Sequence, residues 1–191
     1  MSNIEAMRPP RVMGLDLSLT STGVSVNGET FSIKPKTKGT ERLVDISGQI
    51  VHWVENTRPI AAIIEGYSFG SKFSRAHSLG ELGGVVKVAL YGYGLNVVEV
   101  PPKCRAKFAT GNGNSNKLDV LMSLKNQFPA QFFEDRGNDE CDAWVLEQMA
   151  YAKLGESDHE WSKVQLSALD KIDWTPLHEA IEANTTWAPS K

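Results

Sequence analysis

The sequence predicts an α/β fold whose mixed sheet joins an antiparallel three-strand meander to parallel strands, with helices on both faces. Three observations predict it. Short strand-like runs at Val12 to Leu17, Thr22 to Val26 and Thr30 to Ile33 come first, and Asn27-Gly28 supplies a two-residue hairpin turn between the last two. From Leu43 onward, helical periodicity alternates with apolar strand runs, the pattern of βα units. Ile60 to Ile64 is a continuous Ile-rich run, as in strands covered on both faces.

The remaining elements follow in order. Leu43, Ile46, Ile50 and Val54 fall at helical spacing, and that helix should end near Asn56, before Pro59. Ser78 to Tyr91 reads as a glycine-bearing helix that packs closely on something, and Asn96 to Val100 as a strand stopped by Pro101-Pro102. Lys103 to Phe108 reads as a short helix, followed by a Gly-x-Gly loop. Ser115 to Phe128 reads as another helix, with Leu118, Leu121, Met122 and Lys125 on one side. Asn138 should cap a helix running to about Leu154, with Ala143, Leu146 and Ala150 inward. Beyond it, Ser157-x-x-Glu160 reads as a capping box and Thr175-Pro176 as a cap with an N1 proline.

Composition narrows the function. The 191 residues fit one domain with an appendage, and 41% hydrophobic residues exclude a disordered chain. No run approaches the ~20 apolar residues of a membrane span, and the N-terminus shows no export signal, so a cytoplasmic protein without membrane attachment is expected. Cys104 and Cys141 lack C-x-x-C spacing and read as reduced structural thiols. The net charge of −3 is unevenly spread. Residues 1–130 carry 15 Lys+Arg against 10 Asp+Glu, whereas residues 131–191 carry 5 against 13. The mildly basic body can attract a polyanion locally.

Four acids stand out by position. Asp16 lies in an apolar strand, where an unpaired carboxylate costs several kcal/mol. Glu65 ends the Ile-rich strand, the end at which α/β sheets bind ligands. Asp139 and Asp142 share one side of a helix start, where the dipole favours their ionised forms. Singly, each also reads as an ordinary turn, surface or capping acid. Together they make a hard all-oxygen set that suits Mg²⁺ or Mn²⁺ and not zinc.

In this order, the segments Gly14-Leu-Asp-Leu-Ser-Leu-Thr-Ser-Thr-Gly23, Ile63-Ile-Glu-Gly-Tyr67 with Leu79-Gly-Glu-Leu-Gly83, Phe108-Ala-Thr-Gly-Asn-Gly113 with Lys117, and Asn138-Asp-Glu-Cys-Asp-Ala-Trp144 resemble the RuvC-like Holliday junction resolvases of the ribonuclease H-like superfamily, especially the bacteriophage-type versions. The resemblance spans residues 11–154, a nuclease domain, and leaves 155–191 as an acidic helical extension. It implies a metal-dependent endodeoxyribonuclease of the crossover junction type, acting in DNA recombination and repair. Such an enzyme cuts four-way junctions, and other branches such as forks and flaps, leaving 5′-phosphate and 3′-OH. Asp16, Glu65, Asp139 and Asp142 become ligands of two Mg²⁺ or Mn²⁺ ions, with no nucleotide cofactor, and Lys117 a catalytic lysine on the scissile phosphate.

A second family lysine precedes the Gly-x-Gly loop. Lys107 is the nearest candidate, Ala106 stands at the family position, and Arg105 can substitute from the other side. Tyr67 and Phe69 match a loop that places an aromatic near the branch point, with Lys72 and Arg75 as DNA contacts; both rings equally suit a core. Ser18 and Thr20 fit either a phosphate contact or closure of their turn. The Gly-rich helix around Leu79 to Leu90 resembles the helix buried between subunits in this family, and the resemblance implies a homodimer, suited to a roughly two-fold junction. Two rivals remain: a branched-DNA-binding protein of this fold that does not cut, and an actin-like-superfamily phosphotransferase, which requires a longer chain.

Overall fold

The computed structural model describes residues 10–66, 73–129, 133 and 135–184, with residues 73–76 traced by backbone alone. Among the described residues five strands form one sheet: β1 (Val12–Asp16), β2 (Thr22–Val26), β3 (Glu29–Ile33), β4 (Ala61–Glu65) and β5 (Asn96–Val100), in the order β3-β2-β1-β4-β5. The first three are antiparallel; β1, β4 and β5 run parallel. The meander turns on Asn27 (φ 57°) and Gly28 (φ 78°), the two left-handed residues of a tight hairpin turn.

The period of two along β1 and β4 sorts their side chains between two cores. Met13, Leu15, Ala62 and Ile64 face α1 (Gly39–Thr57) and α2 (Phe73–Gly92), where Ile46, Ile50, Leu82, Val86 and Leu90 bury. Val12, Ala61 and Ile63 face the opposite layer, built from α3 (Pro102–Thr110), α4 (Lys117–Gln127) and α5 (Asn138–Leu154). The chain then adds α6 (Lys163–Leu166), a 3₁₀ turn (Leu169–Lys171) and α7 (Thr175–Ala183) to that same layer. Trp161, Leu169, Trp174 and Leu177 bury beside Phe108, Trp144 and Val98. The Trp161 and Phe108 rings lie 4.2 Å apart, tilted by 40°, and Asn96 Nδ2 donates to the Pro176 carbonyl, tying the tail to β5. No helix among the described residues is long and apolar enough to cross a membrane.

Several boundaries differ from expectation, each for a local reason. α5 is capped by Gly137, and Asn138 is already helical. The capping box of the tail is Ser162 with Gln165, because Ser157 Oγ is taken up by the Trp161 indole N–H, which needs a partner when buried. Thr175 is the first residue of α7, with Trp174 at its cap. In α4 the buried positions are Val120 and Leu124, while Leu118 and Met122 face solvent. Apolar residues lie on two sides of that helix, and periodicity alone does not choose the side that meets α3 and α5. In α2, a Cβ added at Gly80, Gly84 or Gly92 would meet nothing within 4 Å, so these glycines pack against nothing described within the chain.

Candidate active site

Asp16 and Glu65 end neighbouring parallel strands. The register that pairs Leu15 with Ile64 sets the two acids level, and both belong to the face that meets α5. The fit of α5 on that face is close. A Cβ at Gly14 would lie 2.0 Å from the Ala143 carbonyl oxygen, and one at Gly23 would lie 1.9 Å from the Asp139 carbonyl oxygen. Only glycine admits the helix backbone so near the strands. Two further acids of α5 fasten it. Ser32 Oγ donates to Glu140, and Ser25 Oγ together with the Gly28 amide donates to Glu147, which is fully buried. Thus Asp139 and Asp142 arrive beside Asp16.

Lys117 comes from the other side. Gly111 (φ 83°) ends α3, and Asn116 opens α4 by accepting from the Leu118 and Asp119 amides, while the Asn116 amide donates to the Asp119 carboxylate. A Cβ at Gly113 would press 2.9 Å from the Lys103 carbonyl oxygen, so the intervening loop lies flat on α3. Lys117, the first residue of α4, then reaches Asp16 at 3.0 Å, Asp139 at 2.9 Å and Asp142 at 3.3 Å. Arg105 projects from α3 into the same cluster, with Nε on Glu65 and Nη1 on Asp142.

Burial dominates the electrostatics. It pushes Asp16 up to about 7, against the pull of Lys117 and helped by repulsion from Asp142 and Glu65. Asp142 is raised for the same reason, with Arg105 and Lys117 opposing. Burial disfavours the charges of Lys117 and Arg105, yet the surrounding carboxylates outweigh it and hold both protonated more tightly than in water. Burial also pushes Glu147 up to about 7, despite its bonds from Ser25 and Gly28.

Among the described residues, no three His, Cys, Asp or Glu side chains stand close enough to one another to hold a metal ion, and the four acids are instead linked through their ion pairs to Lys117 and Arg105. The donor set still fits a hard divalent cation. All four acids offer oxygen, and Asp142 Oδ2 is buried with no hydrogen bond, its approach to Lys117 being an ion pair at 3.3 Å.

The model of the family described as crossover junction endodeoxyribonuclease RuvC matches residues 12–131, more than half of the chain. This chain belongs to the RuvC family. The RuvC of Treponema denticola is 32% identical over 127 residues, covering 61% of this chain and 71% of its own length. That of Prochlorococcus marinus strain NATL2A is 29% identical over 128 residues, covering 61% and 82%. In fold, the chain is similar to T. thermophilus RuvC solved in complex with Holliday junction substrate, with a TM-score of 0.62 at 22% identity, covering 78% of this chain and 98% of that one. The yeast mitochondrial Holliday junction resolvase Ydc2 gives a TM-score of 0.50 at 13% identity, covering 74% and 78%. The mixed sheet with helices on both faces is therefore the resolvase fold. The RuvC family match includes Asp16, Glu65 and Lys117 and ends before Asp139 and Asp142, which the tertiary structure joins to them.

Lys107 is partly exposed and takes no part in the ion pairs of the cluster among the described residues. Tyr67, Phe69 and Lys72 lie outside the described residues, and Arg75 is described by backbone only, in the first turn of α2. The Ser18 and Thr20 hydroxyls bond each other at 3.1 Å, and Thr22 Oγ1 closes the turn on the Ser18 carbonyl and amide. Sequence reasoning missed Glu147. The signal was present: it stands four residues after the inward Ala143, an acid at an apolar position.

Proposed function

We propose that this RuvC-family protein is a divalent-metal-dependent endonuclease that cleaves four-way DNA junctions, with forks and flaps as further branched substrates. The observation that carries the reading is the convergence of Asp16, Glu65, Asp139 and Asp142 around Lys117 and Arg105. Four carboxylates gathered together, with Asp16 and Asp142 buried, are costly to hold in a fold and mark a functional site.

Asp16, Glu65, Asp139 and Asp142 would hold two Mg²⁺ or Mn²⁺ ions. When bound, these supply a hydroxide-like nucleophile at neutral pH and stabilise the leaving oxygen. The residues of the chain do the rest. Lys117 is half-exposed at the mouth of the cluster and the head of α4, where its charge and the helix N-terminus both favour a phosphate. Asp16 and Glu65, fixed at strand ends, keep the reacting geometry rigid. Water attacks phosphorus and the P–O3′ bond breaks, leaving 3′-OH and 5′-phosphate, with no covalent enzyme intermediate.

Two opposed cuts require two sites. The outward side of α2 carries Gly80, Gly84, Val88 (74% exposed) and Tyr91 (83% exposed) near i, i+4, i+8 and i+11. This small-residue and apolar strip supports a homodimer through α2.

The test incubates labelled four-way junction, fork, linear duplex and single strand with the protein, with and without Mg²⁺, beside Asp16→Asn. Paired symmetric nicks in the junction that require metal and Asp16 support the resolvase reading. Equal cutting of forks broadens it to branch cleavage. Binding without cutting in Mg²⁺ or Mn²⁺ refutes it in favour of the non-cutting branch binder.

A further inference from the structure

The carboxylate cluster has two unequal halves joined by Asp142. Its Oδ1 accepts from Arg105, whose Nε also holds Glu65, and its Oδ2 faces Lys117 together with Asp16 and Asp139. The two cations differ in how readily they leave. The Lys117 side chain is 48% exposed on a flexible stem, so it can swing into water and recover its hydration. The Arg105 side chain is 7% exposed, two carboxylates hold it, and it stands on α3 between the buried Cys104 and Ala106. Its planar fork fits the two carboxylates at once, which a lysine ammonium does not reproduce.

We propose that Arg105 is a positioning residue that makes metal loading sequential: it aligns Glu65 with Asp142 and keeps that half closed to a second divalent ion in the DNA-free protein. This rests on the metal-nuclease reading above. Withdrawal of Lys117 frees Asp16, Asp139 and Asp142 Oδ2 for a first ion, while Glu65 and Asp142 Oδ1 stay saturated by the guanidinium. An arriving phosphate offers Arg105 an alternative bidentate partner and draws it off Glu65. The second half therefore opens only when substrate is present, and the free protein is protected from unspecific hydrolysis.

The experiment is a Mn²⁺ titration of the DNA-free full-length protein, followed by calorimetry and by the electron paramagnetic resonance of free Mn²⁺. Wild type should take up one ion, and Arg105→Gln two, the second binding at least about tenfold more tightly than any second ion in wild type. Lys117→Gln should tighten the first site and leave the count at one. Two equal ions in wild type, unchanged by Arg105→Gln, would overturn the proposal and leave the nuclease reading standing. No Mn²⁺ uptake by any of the proteins would overturn both. Should Arg105→Gln not fold without metal, Arg105→Lys decides: a second, weaker Mn²⁺ site supports the proposal, and a single site as in wild type overturns it.

Discussion

Asp16 carries a cost that the fold tolerates for its position. Burial raises it to about 7, so the folded state binds a proton more tightly than the unfolded chain, whose carboxylate titrates near 3.8. Stability therefore falls as pH rises between about 4 and 7. In metal-free protein, Asp16→Asn should match or exceed the wild-type melting temperature at pH 8, with the advantage vanishing near pH 4, while cleavage is lost. A lower melting temperature at pH 8 would show that the ion pair with Lys117 outweighs burial. Glu147 obeys the same sign between 4.5 and about 7. Its role is to receive Ser25 and Gly28, and glutamine retains an acceptor there. Glu147→Gln should keep the fold and flatten stability against pH in that window. Glu147→Ala should cost about 1–3 kcal/mol, measured by urea unfolding, because buried donors lose their acceptor.

Elements meet at backbone distance where α5 crosses β1 and β2, and the geometry of the carboxylate cluster depends on that crossing. Gly23→Ala would drive a methyl into the Asp139 carbonyl, so α5 must shift and carry Asp139 and Asp142 off Asp16. The expected result is a loss of ~1–3 kcal/mol and a larger fall in kcat than in junction affinity. Equal stability with unchanged cleavage rates would show that α5 floats freely on the strands. The outward side of α2 gives a separate prediction. If the proposed homodimer forms through α2, Val88→Glu should convert it to monomer in sedimentation without lowering the melting temperature of the monomer, since Val88 is exposed within the chain.

At the scale of the molecule, the acidic tail is part of a core. Trp161, Leu169, Trp174 and Leu177 bury against α3, α5 and β5, so these residues beyond 154 share a packed layer with the preceding elements. Ending the chain at Leu154 would expose Phe108, Trp144 and Val98 to water. Such a truncation should be insoluble or lack a cooperative melt, whereas the full chain should unfold in one transition by circular dichroism. A soluble, cooperatively folded, junction-cleaving 1–154 fragment would make the tail dispensable.

The meander, the alternation of later elements and the four acids were legible in the sequence, because each depends on local rules: Asn27-Gly28 on turn chemistry, β4 on an apolar run, Asp16 on a charge within one. Family order then linked acids that are far apart along the chain. Tertiary structure alone decided which side of α4 is buried, that Gly14 and Gly23 admit a helix backbone, and that Glu147 fastens it. It also decided that Arg105 points inward between Glu65 and Asp142 while Lys107 does not. These choices depend on which surfaces meet across the fold, and spacing along one chain carries no information on the partner it will face.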